Sequence, residues 1–393
     1  MRVLQIVPSI SLVYGGPSQM VKGLSAALSN KPGMEVTILT TDSNGDTGEA
    51  PLDVPLDRPV EENGYQIRYF RCSPFRRYKF SLDLLQWLSE HASEYEIAHI
   101  HALFSPVSSA AATIARQKRL PYIMRPLGTL DPADLRKKRQ LKRIYTALWE
   151  KGNIKGAAAI HFTSSIEAKI SDRFGTDTPG VIVPLGVQLP ELPEPGMARE
   201  NLNIPADKPL ILYMSRIDPK KGLDLLIPAL ETLINENFDF EFVLAGGNPQ
   251  NTAYVEQIKQ QIQSSTLASC TQFPGFVRGA EKAALLRDAD LFVLPSYYEN
   301  FGIAVAEAIA SGTPVVISTG VYIWEDIQKA AAGWVCGCDV NSLTDSLRLA
   351  LSDRQERLKR GAAAAQYANT HYSWSAIAQQ TIGVYQQFAR SSN

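Results

Sequence analysis

Long apolar runs are missing from this chain: no stretch approaches the ~18 uninterrupted apolar residues that a membrane-spanning helix needs. No leader is expected at the start either. Met1-Arg2 runs into Val3-Leu4-Gln5-Ile6-Val7, which Pro8 cuts, and no small-residue cleavage site follows, so the segment reads as a buried strand. Cysteine is scarce. Cys72, Cys270, Cys336 and Cys338 are spread so that only the last two lie close together. A lone C-x-C with no second Cys or His cluster is a poor zinc site, so reduced thiols and no metal are expected. Net charge is also lacking: 39 basic against 40 acidic residues leave -1, which removes the electrostatic footprint of a nucleic-acid binder. The expectation is a cytoplasmic protein, peripheral at most at the inner face of the cell membrane, with no nucleic-acid partner.

What is present is alternation. Short β-branched runs at Val3–Val7, Val36–Leu39, Ile97–His101, Tyr122–Met124 and Ala158–Phe162 alternate with longer helical patterns. A second series follows at Leu210–Met214, Glu241–Ala245, Leu291–Leu294 and Pro314–Ile317. Two doubly wound α/β units in tandem, each with a parallel sheet, fit this pattern better than one large sheet. Between them Pro184, Pro190, Pro193, Pro195, Pro205 and Pro209 stiffen the chain and deny helix, marking the boundary. Domains are therefore expected at 1–185 and 186–371. Up to residue 185 there are 23 basic and 18 acidic residues; beyond it, 16 and 22. The first half is the one to face an anionic acceptor or a membrane surface.

In that half Arg136, Lys137, Lys138, Arg139, Lys142 and Arg143 crowd a segment whose apolar positions Leu141, Ile144, Tyr145, Leu148 and Trp149 recur at helical spacing. A basic amphipathic helix over 136–149 is expected. Its commoner fate is to pack the apolar stripe on the domain core. The alternative is a peripheral membrane contact, joined by Arg76, Arg77 and Lys79.

The densest chemistry lies in Pro295-Ser-Tyr-Tyr-Glu299-Asn300-Phe301-Gly302-Ile303, continuing through Glu307 to Gly312-Thr-Pro314. A strand ends at Leu294 and a helix starts near Gly302, so Glu299 stands in the crevice at the strand's carboxyl end, with Glu307 in the helix body. The free N–H groups around Phe301, Gly302 and Ile303 aim at an anion, and a phosphate is the expected guest. Both carboxylates suit hydroxyl-rich partners, since an ionised carboxylate only accepts. The bland alternative has Glu299 capping the helix and Glu307 paired with a neighbouring base. A second constellation, Arg216-Ile-Asp-Pro-Lys-Lys221-Gly222, places two cations at the end of the Leu210–Met214 strand. Fixed cations there stabilise a departing diphosphate in the transition state.

These motifs, in this order, resemble the retaining GT-B glycosyltransferases of family GT4 over nearly the whole chain. Tyr14-Gly15-Gly16-Pro17-Ser18 is similar to the family's glycine pair beside the donor phosphates. Val183-Pro-Leu-Gly-Val187 resembles its stretch before the interdomain linker, and Ser373-Trp374 its closing segment at 372–393, which crosses back to the first domain. The resemblance implies two Rossmann-like domains facing a central cleft and a UDP- or GDP-linked sugar as donor. It also implies transfer with retention to a glycan or lipid-linked acceptor, in polysaccharide or glycoconjugate biosynthesis. Arg216 and Lys221 then grip phosphate, Glu299 contacts sugar hydroxyls and Glu307 the nucleotide ribose. The base-reading loop corresponds to Pro274–Arg278, including Phe276 and Val277, with Gly246 on the same side. No cofactor is implied beyond the donor itself, and no divalent metal, because the cations and the helix end supply its charge.

One departure is visible. Where many relatives carry a histidine after the Tyr122–Met124 strand, this chain has Arg125-Pro-Leu-Gly128. Arg125, Gly128 and His101, nearest the carboxyl end of its strand, are the candidates for sugar or acceptor contact in the first half; for His101 a structural role stays equally open. His99 reads as structural. Two other functions stay open: a sugar-nucleotide epimerase on the same scaffold, and a silent nucleotide-sugar-binding partner. A dinucleotide dehydrogenase is disfavoured, because Gly15-Gly16-Pro17 lacks the G-x-G-x-x-G spacing.

Overall fold

Two parallel sheets organise the chain, each covered by helices. The computed structural model describes all residues except 12, 14–15, 46–48, 74–78, 137–138, 189–190 and 391–393. Contacts divide it into one unit of Met1–Gly186 with Trp374–Asn393 and another of Val187–Ser373.

The first unit holds β1 (Arg2–Ile6), β2 (Glu35–Thr41), β3 (Val60–Glu62), β4 (Tyr65–Phe70), β5 (Ile97–His101), β6 (Tyr122–Arg125), β7 (Ala159–Phe162) and β8 (Gly180–Ile182). Their order is β3-β4-β2-β1-β5-β6-β7-β8. All neighbours run parallel except β3 and β4, a hairpin that breaks the expected all-parallel sheet at its edge. The near-continuous burial of β1, β5, β6 and β7 is what two helix-covered faces require. The helix Trp374–Phe388 belongs to this unit and lies on the helix Gly16–Ser29. The Trp374 indole fits only because Gly23 and Gly186 flank it; a Cβ at Gly23 would come within 2.3 Å of the ring.

A polar chain runs through this core. Gln5 Nε2 donates to the Tyr385 hydroxyl (2.8 Å), which lies 2.8 Å from His99 Nδ1. His99 Nε2 is 3.1 Å from His161 Nδ1, and His161 Nε2 is 2.7 Å from the Val183 carbonyl. Since a carbonyl only accepts, His161 carries its proton on Nε2; His99 then donates to His161 and accepts from Tyr385. Each ring is neutral in this arrangement. Burial agrees, holding His99 and His101 well below their ordinary value and His161 near 3.

The basic segment departs from expectation. It is a helix Arg139–Tyr145, a π-turn Thr146–Glu150 and a helix Lys151–Gly156. Lys137, Lys138, Arg76 and Arg77 lie outside the described residues. The inward face is Thr146, Glu150, Asn153 and Ile154. Glu150 fixes the phase of the segment by accepting from Phe104 N and Ser109 Oγ, both at 2.7 Å. Leu141, Ile144 and Leu148 consequently point outward, 62%, 60% and 64% exposed, so these three do not pack on the core, while Tyr145 is half-buried with its hydroxyl 2.9 Å from Ser109 Oγ. Polar tethers, not hydrophobicity, set the rotation of this helix.

The second unit holds β9 (Leu210–Met214), β10 (Glu241–Ala245), β11 (Thr271–Gly275), β12 (Leu291–Leu294), β13 (Val315–Ser318) and β14 (Gly333–Cys336), in the order β11-β10-β9-β12-β13-β14. All are parallel. The strand order reverses between β9 and β12. The proline-rich stretch that was expected to deny helix contains one, Met197–Leu202. Asp288 overrides the local sequence by accepting from Gly196 N and Ala198 N, both at 2.7 Å, which caps the turn from a distance in sequence.

The buried histidines set a pH dependence. Their folded-state values lie below the ordinary 6.5, so the unfolded chain binds protons that the folded one refuses. Stability is full above pH ~6.5 and declines toward pH 3, by up to about 1.4 kcal/mol per pH unit for each ring. Urea midpoints at pH 5.0 should fall below those at pH 7.5, while NMR shows His161 still neutral at pH 5.0. A protonated His161 at that pH would contradict the assigned hydrogen-bond chain.

Candidate functional site

Carboxyl ends of parallel strands are where such sheets bind ligands, above all where strand order reverses. In the second unit that point lies between β9 and β12, and the loops after both strands carry the charged motifs. After β9, Ser215 N donates to Ala245 O (3.2 Å) and Ile217 N to Gly247 O (3.2 Å), pinning the bend that presents Arg216. Arg216 is exposed and makes no ion pair among the described residues. A 3-10 turn at Pro219–Lys221, capped by Asp218, then delivers Lys221 into the unit, where it is buried. Lys221 Nζ pairs with the Glu299 carboxylate. Lys220 registers how concentrated the charge is: burial, then Lys221 and Arg216, pull its ammonium below the usual value.

Glu299 is held by its backbone. Its N–H donates to Gly320 O (2.8 Å) and its carbonyl accepts from Tyr322 N (3.0 Å), so one extended residue bridges to the loop after β13. Phe301 anchors the following turn, buried with its ring 5.3 Å from that of Tyr372. Gly302 then ends the loop at φ +82° and the eight-residue helix Ile303–Ala310 begins without a side-chain cap and without an acid in its first turn. Its leading N–H groups are therefore open to an anion. Asn300 sits between Glu299 and Phe301, half-buried.

The neutral alternative for the second acid is partly realised: Glu307 Oε1 is 2.7 Å from Lys282 Nζ, beside a cavity of about 370 Å³ lined also by Gly279 and Gln188. Lys282 carried no signal in the sequence, because nothing in its own segment announces that the helix Gly279–Asp288 brings it to Glu307. Of the neighbouring loop, Phe276 is 79% exposed whereas Val277 is buried and presents only backbone. Gly246 follows β10 at φ +138°, and a Cβ there would sit 1.9 Å from Ser215 O. Asn248 is a further positioning residue that the sequence did not mark. Buried, it donates from Nδ2 to Ile217 O at 3.1 Å and stiffens the Arg216 bend.

In the first unit the candidates behave differently. Gly15 lies outside the described residues, and Gly16 opens the helix Gly16–Ser29 after β1. His101 is fully buried, with Nε2 2.8 Å from Gln5 Oε1, so the structure places it in the polar core instead of on an open surface. Arg125 is 3% exposed, and burial pulls its guanidinium down to about 10 despite the nearby Glu167 carboxylate. The strands β5 and β6 end inside the packed network, which withdraws both side chains from solvent. Gly128 is fixed by donating its N–H to Glu167 Oε1 (3.2 Å).

No disulfide joins the four cysteines, and among the described residues no three His, Cys, Asp or Glu side chains gather as a metal site. Nor is any described helix long and apolar enough to cross a membrane.

Two parallel-sheet Rossmann-like units, the second carrying a cationic switch-point crevice, define a glycosyltransferase of GT-B fold. Residues 15–186 match the model of the glycosyl transferase 4-like domain and residues 197–367 that of the glycosyl transferases group 1. The chain belongs to the GT4 glycosyltransferases. It is 27% identical over 405 residues to D-inositol 3-phosphate glycosyltransferase from Kineococcus radiotolerans, covering 95% of this chain and 90% of that protein. In fold it is similar to sucrose-phosphate synthase from Thermosynechococcus elongatus (TM-score 0.75, 22% identity, 98% of each chain). It is also similar to Anabaena HepE in complex with UDP-glucose (TM-score 0.74, 18% identity, 99% of this chain and 100% of that one).

Two glycines separate by their surroundings. Gly246→Ala drives a Cβ into backbone and should cost more than Gly302→Ala, which strains φ by about 1–2 kcal/mol and meets a movable Val321 methyl at 3.0 Å. Thermal melts of both variants check the order. Equal losses would mean that the Ser215 bend yields freely.

Proposed function

We propose that this glycosyltransferase takes a UDP- or GDP-linked sugar as donor. The acceptor is a glycan or lipid-linked glycan, and the sugar passes to it with retention of anomeric configuration, in polysaccharide or glycoconjugate biosynthesis. The observation that carries the reading is the pairing of Lys221 with Glu299 next to an uncapped helix start at one strand-order reversal, with Arg216 on the same loop after β9. Arg216, Lys221 and the N–H groups at Gly302 and Ile303 take the diphosphate. Glu299, freed from Lys221 as the anion arrives, accepts from sugar hydroxyls, and Glu307 accepts from the ribose. Gly246 and the Phe276-Val277 loop border the base through backbone, while Asn300 and Phe301 shape the turn. Gly15, Gly16, Gly128, His101 and Arg125 are the first-unit candidates for donor or acceptor contact, the last two buried in this structure.

The chemistry follows from charge. The bond between the anomeric carbon and the diphosphate oxygen breaks through an oxocarbenium-like centre, and the negative charge collecting on the leaving diphosphate is met by fixed cations. The acceptor oxygen bonds to that carbon on the same face and its proton passes to a diphosphate oxygen. No metal is required in this scheme, since guanidinium, ammonium and helix end occupy its electrostatic role. A cytoplasmic enzyme touching the inner membrane face fits the outward Leu141, Ile144 and Leu148 with their basic neighbours.

Millimolar UDP or GDP should raise the melting temperature, by mass action on the folded state. If neither nucleotide nor its sugars shift the melt, the donor assignment is wrong. Arg216→Ala and Lys221→Ala should each lower kcat about 100-fold, equivalent to about 3 kcal/mol of barrier, and Glu299→Ala should abolish donor hydrolysis. Epimerised donor in the absence of acceptor would favour the epimerase alternative instead.

A further inference from the structure

Glu307 meets its counter-ion through one oxygen only. Lys282 Nζ donates to Glu307 Oε1 at 2.7 Å, while Oε2 has no partner among the described residues. Both side chains line the cavity of about 370 Å³ in the second unit, where Lys282 is the single cation among the described residues that wall it and Gln188 and Glu191 supply the other polar side chains. The pair is a poor staple. With side chains 35% and 23% exposed, it is too well solvated to hold the helices Gly279–Asp288 and Ile303–Ala310 together with any strength. Lys282 moreover stands in the first turn of its helix, where the dipole favours an acid over a base. Stability does not call for a lysine at this place, but the orientation of Glu307 does. A glutamate in the body of a helix rotates among several staggered conformations, and an ammonium fixed on one carboxylate oxygen selects among them and leaves the other oxygen free to accept.

We infer that Lys282 is a positioning residue for the donor's ribose: it holds the Glu307 carboxylate so that the free oxygen accepts from the vicinal 2′- and 3′-hydroxyls, which makes the site selective for a ribonucleotide over its 2′-deoxy counterpart. One carboxylate oxygen has two lone pairs, enough for both hydroxyls. A site built around a hydrogen-bonded hydroxyl rejects the analogue that lacks it, because its own polar group is then left unpaired. Removing Lys282 lets the carboxylate turn to water, so the discrimination fades while the cations Arg216 and Lys221 are untouched. The inference rests on the donor reading above, in which Glu307 accepts from the ribose, and adds the residue that makes this acceptance selective.

The test titrates the full chain calorimetrically with UDP, GDP and their 2′-deoxy forms, alongside thermal melts. For whichever base binds, the wild type should favour the ribonucleotide about tenfold or more. Lys282→Met should bring that ratio to within about twofold of unity at unchanged melting temperature, with affinity for the 2′-deoxy nucleotide as in the wild type, and Lys282→Arg should keep the ratio. Glu307→Ala should erase it, and Lys282→Met added to Glu307→Ala should change nothing further. A wild type without preference overturns the inference. So does a full ratio in Lys282→Met, or an equal weakening of both nucleotides there; if Glu307→Ala still loses the ratio, the ribose role of Glu307 survives and only the part given to Lys282 falls. A full ratio in Glu307→Ala removes the ribose role itself, and the inference with it. Failure of both UDP and GDP to bind removes the donor reading, and again the inference with it.

Discussion

Reversal of strand order at β9 and β12 forces two neighbouring strands to send their chains to opposite faces of the sheet, and a gap opens above their carboxyl ends. The second unit is arranged around that gap. Its floor is apolar and packed on both faces, so polar groups that enter must find each other or a ligand. Lys221 and Glu299 do the former, reaching across from the two strands that define the gap. The pair ties the loop after β9 to the loop after β12, and the backbone bridge at Glu299 ties that loop onward to the one after β13. A carboxylate and an ammonium held this way are preorganised without being neutralised by solvent.

Much of this was legible from residues. The strands Leu210–Met214, Glu241–Ala245 and Leu291–Leu294 were bounded by period and β-branching alone, because buried parallel strands are short apolar runs with few other solutions. The Arg216–Lys221 and Glu299–Glu307 strings could be placed because each begins where such a strand stops. What escaped were features set by distant residues. The helix Met197–Leu202 forms among prolines since Asp288 caps it from another element. Of the hairpin β3–β4, the three residues of β3 are too few to stand out, and β4 breaks its apolar run with Gln66 and Arg68. Lys282 gains its meaning only from the fold that brings it to Glu307.

The first unit shows the same lesson with the opposite sign. Helical periodicity over Leu141, Ile144 and Leu148 correctly announced an apolar stripe, but which way a stripe faces is decided by what else the helix can bury. Glu150 fixes the phase instead: its carboxylate accepts from an amide and a hydroxyl in the interior, and turning the segment to bury the stripe would break both bonds and leave those donors without a partner. Likewise, proximity to a strand's carboxyl end made His101 and Arg125 reasonable contacts, yet the hydrogen-bond chain from Gln5 to Val183 draws that region into the interior.

The Lys221–Glu299 bond also has a bearing on what the crevice admits. While the two groups hold one another, a visitor bringing negative charge alone would strip the carboxylate of its counter-ion and leave it stranded in a half-dry place. A visitor that offers an anion to one and hydroxyls to the other replaces both halves of the broken pair. On the reading proposed above, the resting pair would favour molecules that bring donors for the carboxylate along with an anion for the ammonium over a bare anion of equal charge.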